Sequence, residues 1–95
     1  MSVKIKYYFK NIENNQPYQI YFEGKIKRIE KFLPKDKEVL LEVEFSLPNK
    51  KRKIFYTEFN LTIEGKVIKR AHQDYDPFKS FDKAIDKLIS ALKKR

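Results

Sequence analysis

Asp76-Pro77-Phe78-Lys79-Ser80-Phe81-Asp82-Lys83-Ala84-Ile85-Asp86-Lys87-Leu88-Ile89-Ser90-Ala91-Leu92-Lys93-Lys94-Arg95 is the stretch whose periodicity decides the arrangement of the whole chain. At 3.6 residues per turn, Phe78, Phe81, Ile85, Leu88 and Leu92 fall on one stripe. Lys79, Lys83, Lys87 and Lys94 fall on the opposite one. Asp76 and Pro77 supply an N-cap and a first-turn proline. The apolar stripe must be buried against another layer, so the cations turn outward, to solvent or to a polyanion.

Working back from this helix, residues 66–73 read as a strand whose inward parity stays open, because Val67 and Ala71 compete with Ile68. Glu64-Gly65-Lys66 is a tight hairpin signal. Before it, Phe55, Thr57, Phe59, Leu61 and Ile63 alternate with polar residues, as do Val39, Leu41, Val43, Phe45 and Leu47 further upstream. Between these two strands, Pro48-Asn49-Lys50-Lys51-Arg52-Lys53 is a turn carrying four consecutive cations. Tyr18, Phe22, Ile26, Ile29 and Leu33 recur at helical spacing, behind Pro17 with Asn15 or Gln16 as cap and ended by Pro34. Gly24 lies on the outward side of that helix. Val3, Ile5, Tyr7 and Phe9 form the first strand. The order is β-α-β-β-β-α. An α+β sandwich of two layers satisfies every apolar face, with both helices packed on one face of a four-stranded sheet.

The chain of 95 residues makes one domain spanning 1–95, with room for one modest core. Its 41% apolar content is too high for a disordered chain, despite 37% charged residues. No apolar run approaches the roughly 20 residues of a membrane span, and Met1 to Lys6 has no signal-peptide core. The absence of cysteine removes disulfides and thiolate metal sites and suits a reducing compartment, the cytoplasm. The net charge of +9, from 22 Lys+Arg against 13 Asp+Glu, points to an anionic partner, nucleic acid before membrane.

Lys27, Arg28 and Lys31 lie away from the buried stripe of the first helix. Placed beside the Lys79, Lys83, Lys87 and Lys94 row, they would line one outer wall, which Lys69, Arg70 and the basic turn extend. Lysines suit point-charge contacts to phosphate, whereas reading base edges favours Arg, Asn or Gln. This composition implies recognition of shape and backbone. The bland alternative is a solvated helix face, with Asp82 and Asp86 pairing with lysines on their own helix. Tyr8, Tyr56 and Tyr75 either stack on bases or merely cover a half-exposed sheet.

Catalysis finds no support. His72 is the single histidine and has no Cys or second His near it in sequence. Asp74 and Asp76 read as helix caps before they read as metal ligands, and the glutamates at 42, 44, 58 and 64 read as cross-strand charge pairs. No Gly-rich phosphate loop is present, and neither a catalytic site, a metal nor a cofactor is expected.

The order and two of its segments resemble the ribosome hibernation promoting factor and ribosome-associated inhibitor A family, also called sigma-54 modulation proteins. Asp76, Phe78, Asp82, Lys87 and Leu88 fall on the family's helix signature, roughly D-x-[YF]-x-A-I-D-x-x-x-x-K-L. Ser80 and Phe81 stand where that pattern prefers alanine and isoleucine. Lys25 to Phe32 resembles its first-helix pattern K-x-x-K-L-E-K-[YF], with Arg28 and Ile29 as departures. Residues 11–24, with Pro17 and Gly24, depart further.

The resemblance implies a non-catalytic factor that binds the small ribosomal subunit in the channel of messenger and transfer RNA. Such a factor blocks translation by occlusion during stress or stationary phase. Arg28, Lys31, Lys79, Lys83 and Lys87 match the positions expected to face ribosomal RNA. The resemblance also implies a short form or N-terminal domain without the self-dimerising tail, and no membrane partner. Two further readings stay open: a double-stranded-RNA-binding-like module, and a protein-interaction domain whose lysines only keep it soluble.

Overall fold

Alternation in the strands and a 3.6-residue repeat in the helices produce β1 (Ser2–Lys10), α1 (Gln16–Glu30), β2 (Glu38–Asn49), β3 (Ile54–Ile63), β4 (Lys66–Asp74) and α2 (Pro77–Lys93). The computed structural model describes residues 2–94. The strands lie side by side in the order β1-β2-β3-β4. β1 runs parallel to β2, with Val3 opposite Val39 and Phe9 opposite Phe45, which the α1 crossover makes possible. The β2–β3 and β3–β4 pairs are antiparallel. Glu64 and Gly65 both take positive φ, 51° and 77°, the turn geometry whose twist matches the hairpin strands.

One face of the sheet is dry. Val39, Leu41, Val43, Phe45, Phe59, Leu61 and Ile63 are buried there beneath Phe22, Ile26 and Ile29 of α1 and Phe81, Ile85, Leu88 and Leu92 of α2. At the centre, Phe22 stacks on Phe81 with ring centroids 3.9 Å apart and planes 4° from parallel. Phe45 meets Phe22 edge-on at 5.0 Å, and Phe59 meets Phe81 at 5.2 Å. Both helices therefore share one aromatic cluster, which holds them on the same side.

Four local expectations are adjusted. Helix α1 ends at Glu30, with Lys31 as C-cap, so Pro34 follows a turn and does not itself stop the helix. Asn15, one of the two cap candidates, is the N-cap of α1 but makes no side-chain capping bond. Phe78 is 37% exposed, because the first turn of α2 overhangs the sheet and rests on Tyr18 and Tyr21. The parity of β4 is also settled: Ile68, Arg70 and His72 sit opposite Leu61, Phe59 and Thr57, so even-numbered residues share the helix side.

The α2 start is built as its sequence requires. Asp76 accepts hydrogen bonds from the backbone N–H of Phe78 at 2.9 Å and of Lys79 at 3.3 Å. Replacing Asp76 with Ala should lower stability by about 0.5–2 kcal/mol in a denaturant titration, while Asp76→Asn should recover most of it.

Candidate nucleic-acid interface

The i, i+4 spacing of Lys79, Lys83 and Lys87 places successive ammonium groups about 6 Å apart along α2. Lys87 reaches β4 directly. The Lys87 Nζ donates to the carbonyl of Ala71 at 3.1 Å and lies 3.2 Å from Nδ1 of His72. The Asp74 carboxyl is held below the usual carboxylate range, chiefly by the backbone N–H of Asp76 and further by His72, Lys79 and Lys83, against partial desolvation. Lys79 and Lys83 thus act electrostatically on the last residue of β4. Arg70 projects from the same side of β4, two residues from His72, and its Nη1 donates to the carbonyl of Lys69 at 2.6 Å. The β4–α2 flank therefore gathers Lys79, Lys83, Lys87 and Arg70.

The other side of α2 is different. Asp82 accepts the Tyr21 hydroxyl at 2.8 and 3.0 Å, and Asp86 faces Arg28 at 3.6 Å. These carboxylates pair across to α1, not with lysines on their own helix as the bland alternative required. Their separation from the lysines leaves Lys79 and Lys83 without a carboxylate partner within ion-pair distance among the described residues. The same seam divides the wall expected from the sequence. Arg28 lies inside it, occupied by Asp86, and Lys27 stays exposed on α1 away from the α2 row.

Lys31 rejoins that row by another route. Its Nζ lies 5.4 Å from the Phe32 ring, and Lys93 of α2 lies 5.5 Å from the same ring. Lys94, exposed at the C-cap of α2, completes a cationic end. Lys93 went unrecognised in the sequence, since only the fold reveals that Phe32 draws two cations together.

The open face of the sheet has another character. Glu42, Glu44 and Glu58 run through its middle strands. Tyr8 donates to Glu42 at 3.3 Å, Lys10 pairs with Glu44 at 3.3 Å, and Tyr56, Asn60 and Lys69 serve Glu58. Burial pushes the Glu58 carboxyl up, and these three partners outweigh it, so it lies below its ordinary range. A trough of about 630 Å³ opens at one end of this face, rimmed by Lys4, Lys6, Lys37 and Glu64. No group of three or more candidate metal ligands occurs among the described residues.

Burial pushes Tyr7, Tyr21 and Tyr56 up to about 12, helped by Glu23, Asp82 and Glu58 respectively. Their unfolded counterparts ionise near pH 10, so what these tyrosines contribute to stability should be constant below that pH and decline as the pH climbs toward 12. In a phenolate absorbance titration, at least these three tyrosines should titrate later in the folded protein than in denaturant. A single early step under both conditions would contradict these environments.

The model of the sigma 54 modulation protein / S30EA ribosomal protein family matches residues 5–95. The chain belongs to that family. No curated protein sequence matches it. Among solved structures, the N-terminal domain of Thermus thermophilus Protein Y is similar at a TM-score of 0.77 and 23% identity, covering 99% of this chain and 98% of its own. A ribosomal subunit interface protein from Coxiella burnetii is similar at 0.72 and 17% identity, over 94% of both chains. At such identities these structures establish a shared fold.

The two departures from the S30EA-type helix signature have packing reasons. Phe81 supplies the ring that stacks on Phe22. Ser80 is fully buried, donates to the Pro77 carbonyl at 3.0 Å and lies 2.8 Å from the equally buried Thr57 hydroxyl. The serine thus satisfies the polar group that β3 buries beneath it.

Proposed function

We propose that the protein binds the small ribosomal subunit in the channel used by messenger and transfer RNA, and stops translation by occupying it. The observation that carries this reading is the segregation of charge on α2: Asp82 and Asp86 are consumed by α1, while Lys79, Lys83 and Lys87 turn with Arg70 to one flank. Such a row of point charges suits a phosphate backbone. Membership in a family described as ribosomal supports the choice of polyanion. So does a fold shared with a protein described as a ribosomal subunit interface protein. The Lys31, Lys93 and Lys94 end extends the contact, and Lys27 and Arg28 contribute from α1 at its margin. The action is steric and calls for no cofactor. Its setting is the cytoplasm of stressed or stationary-phase cells.

Gradient sedimentation of purified subunits with the protein tests this directly. With about six phosphate contacts, affinity for the small subunit should fall roughly a thousandfold between about 50 and 200 mM salt. Preference for free RNA duplexes over assembled subunits would instead indicate a double-stranded-RNA-binding module. No association with either would leave the protein-interaction reading.

A further inference from the structure

We propose that Tyr75 is a stacking platform for an unpaired nucleobase, which rests on the RNA-binding reading above and extends it from phosphates to a base. Tyr75 is 69% exposed, and neither its ring nor its hydroxyl meets a hydrogen-bond or ring partner among the described residues. Tyr8, exposed on the sheet, and the half-buried Tyr56 commit their hydroxyls to Glu42 and Glu58. Tyr75 stands apart from them.

Its backbone is braced on both sides. Asp74 Oδ1 accepts the N–H of Asp76 at 3.0 Å, closing a turn around Tyr75, and Asp76 Oδ1 in turn caps α2. A ring held on so fixed a support loses little freedom on contact, which is what makes exposed aromatics effective anchors. The position has cations near it. The β3–β4 register ends at Phe55 opposite Asp74, so Tyr75 follows at the same end of the sheet as the Lys50-Lys51-Arg52-Lys53 turn that feeds into β3. Lys79 and Lys83 of α2 are near enough to act on the adjacent Asp74.

The two carboxylates decide what kind of group the ring receives. Asp74 and Asp76 repel a phosphate at this point, while the lysines nearby attract one. A strand tracking those lysines would therefore present its uncharged, planar part to Tyr75. Stacking on an aromatic ring accepts any base, so the contact needs an unpaired nucleotide and not a particular sequence.

The test compares a labelled single-stranded RNA octamer with an octamer of equal charge whose nucleotides are abasic, using fluorescence anisotropy. The intact chain should prefer the base-bearing strand by roughly five- to a hundredfold. Tyr75→Ala should erase that preference and leave the salt slope unchanged, whereas Tyr75→Phe and Tyr75→Trp should keep it. Equal binding of the two octamers, or failure to bind either, overturns the stacking role. So does a preference that survives in Tyr75→Ala. Salt-sensitive sedimentation of Tyr75→Ala with small subunits is read separately: if it persists while the preference never existed, only the stacking inference falls. If no variant sediments with subunits, the ribosome-binding reading falls.

Discussion

Replacing Lys79, Lys83 and Lys87 together by Gln should cut affinity for the small subunit roughly a hundredfold at physiological salt. Each phosphate contact contributes a slope of about 0.7–0.9 in the logarithm of affinity against the logarithm of salt, so three removals should flatten that slope by two to three. The side chains are exposed, and their loss opens no cavity. Only Lys87 gives up contacts within the fold, to the Ala71 carbonyl and His72. Circular dichroism and the melting midpoint should stay near those of the parent. The control is Lys4→Gln with Lys6→Gln, on the open face of the sheet, which lowers net charge without touching the α2 flank. Sedimentation of that variant should barely change. Equal losses in both variants would show that total charge matters and its placement does not.

The second large effect is on the fold. Phe22→Ala should destabilise the protein by about 3–5 kcal/mol, because the ring is fully buried and its cavity is walled by other rings. Phe81 would lose its stacked neighbour at 3.9 Å, and Phe45 its edge-on neighbour at 5.0 Å. Against a total stability of roughly 5–15 kcal/mol this is a large share. A melting midpoint lower by about 15–30 °C is expected for a domain of this size. Phe22→Leu should recover part of it. A shift of only a few degrees would mean that α1 is not fastened to α2 through these rings.

What could be read in the sequence was whatever depends on neighbours along the chain. The α2 cap, its first-turn proline and its two stripes are set within a few residues, and each stands where its spacing placed it, Phe78 excepted. The exception is physical: a helix's first turn can carry an apolar residue past the edge of the layer that would bury it. The parity of β4 was illegible because an edge strand is only partly covered, so its apolar residues need not choose one face. Ile68 is half-buried while Val67 is 61% exposed.

The candidate site divides along the same line. That Lys79, Lys83 and Lys87 share a side follows from helical geometry alone. Which acids oppose them does not. Asp82 has Lys79 one turn before it and Lys83 next to it, yet it bonds Tyr21, 61 residues distant in sequence. Arg28 looked equivalent to Lys31, and only the packing of α1 on α2 shows one facing Asp86 and the other beside the Phe32 ring.

The glutamates threaded through the open sheet have an effect far from themselves. By matching Lys10 and Lys69 locally, they leave that side of the molecule close to electrically neutral, while α2 and β4 keep a surplus of positive charge. The molecule's charge is therefore unevenly divided between its two sides. In the field of a polyanion the molecule experiences a torque that swings the α2–β4 side forward before any contact forms, so collisions begin already aligned.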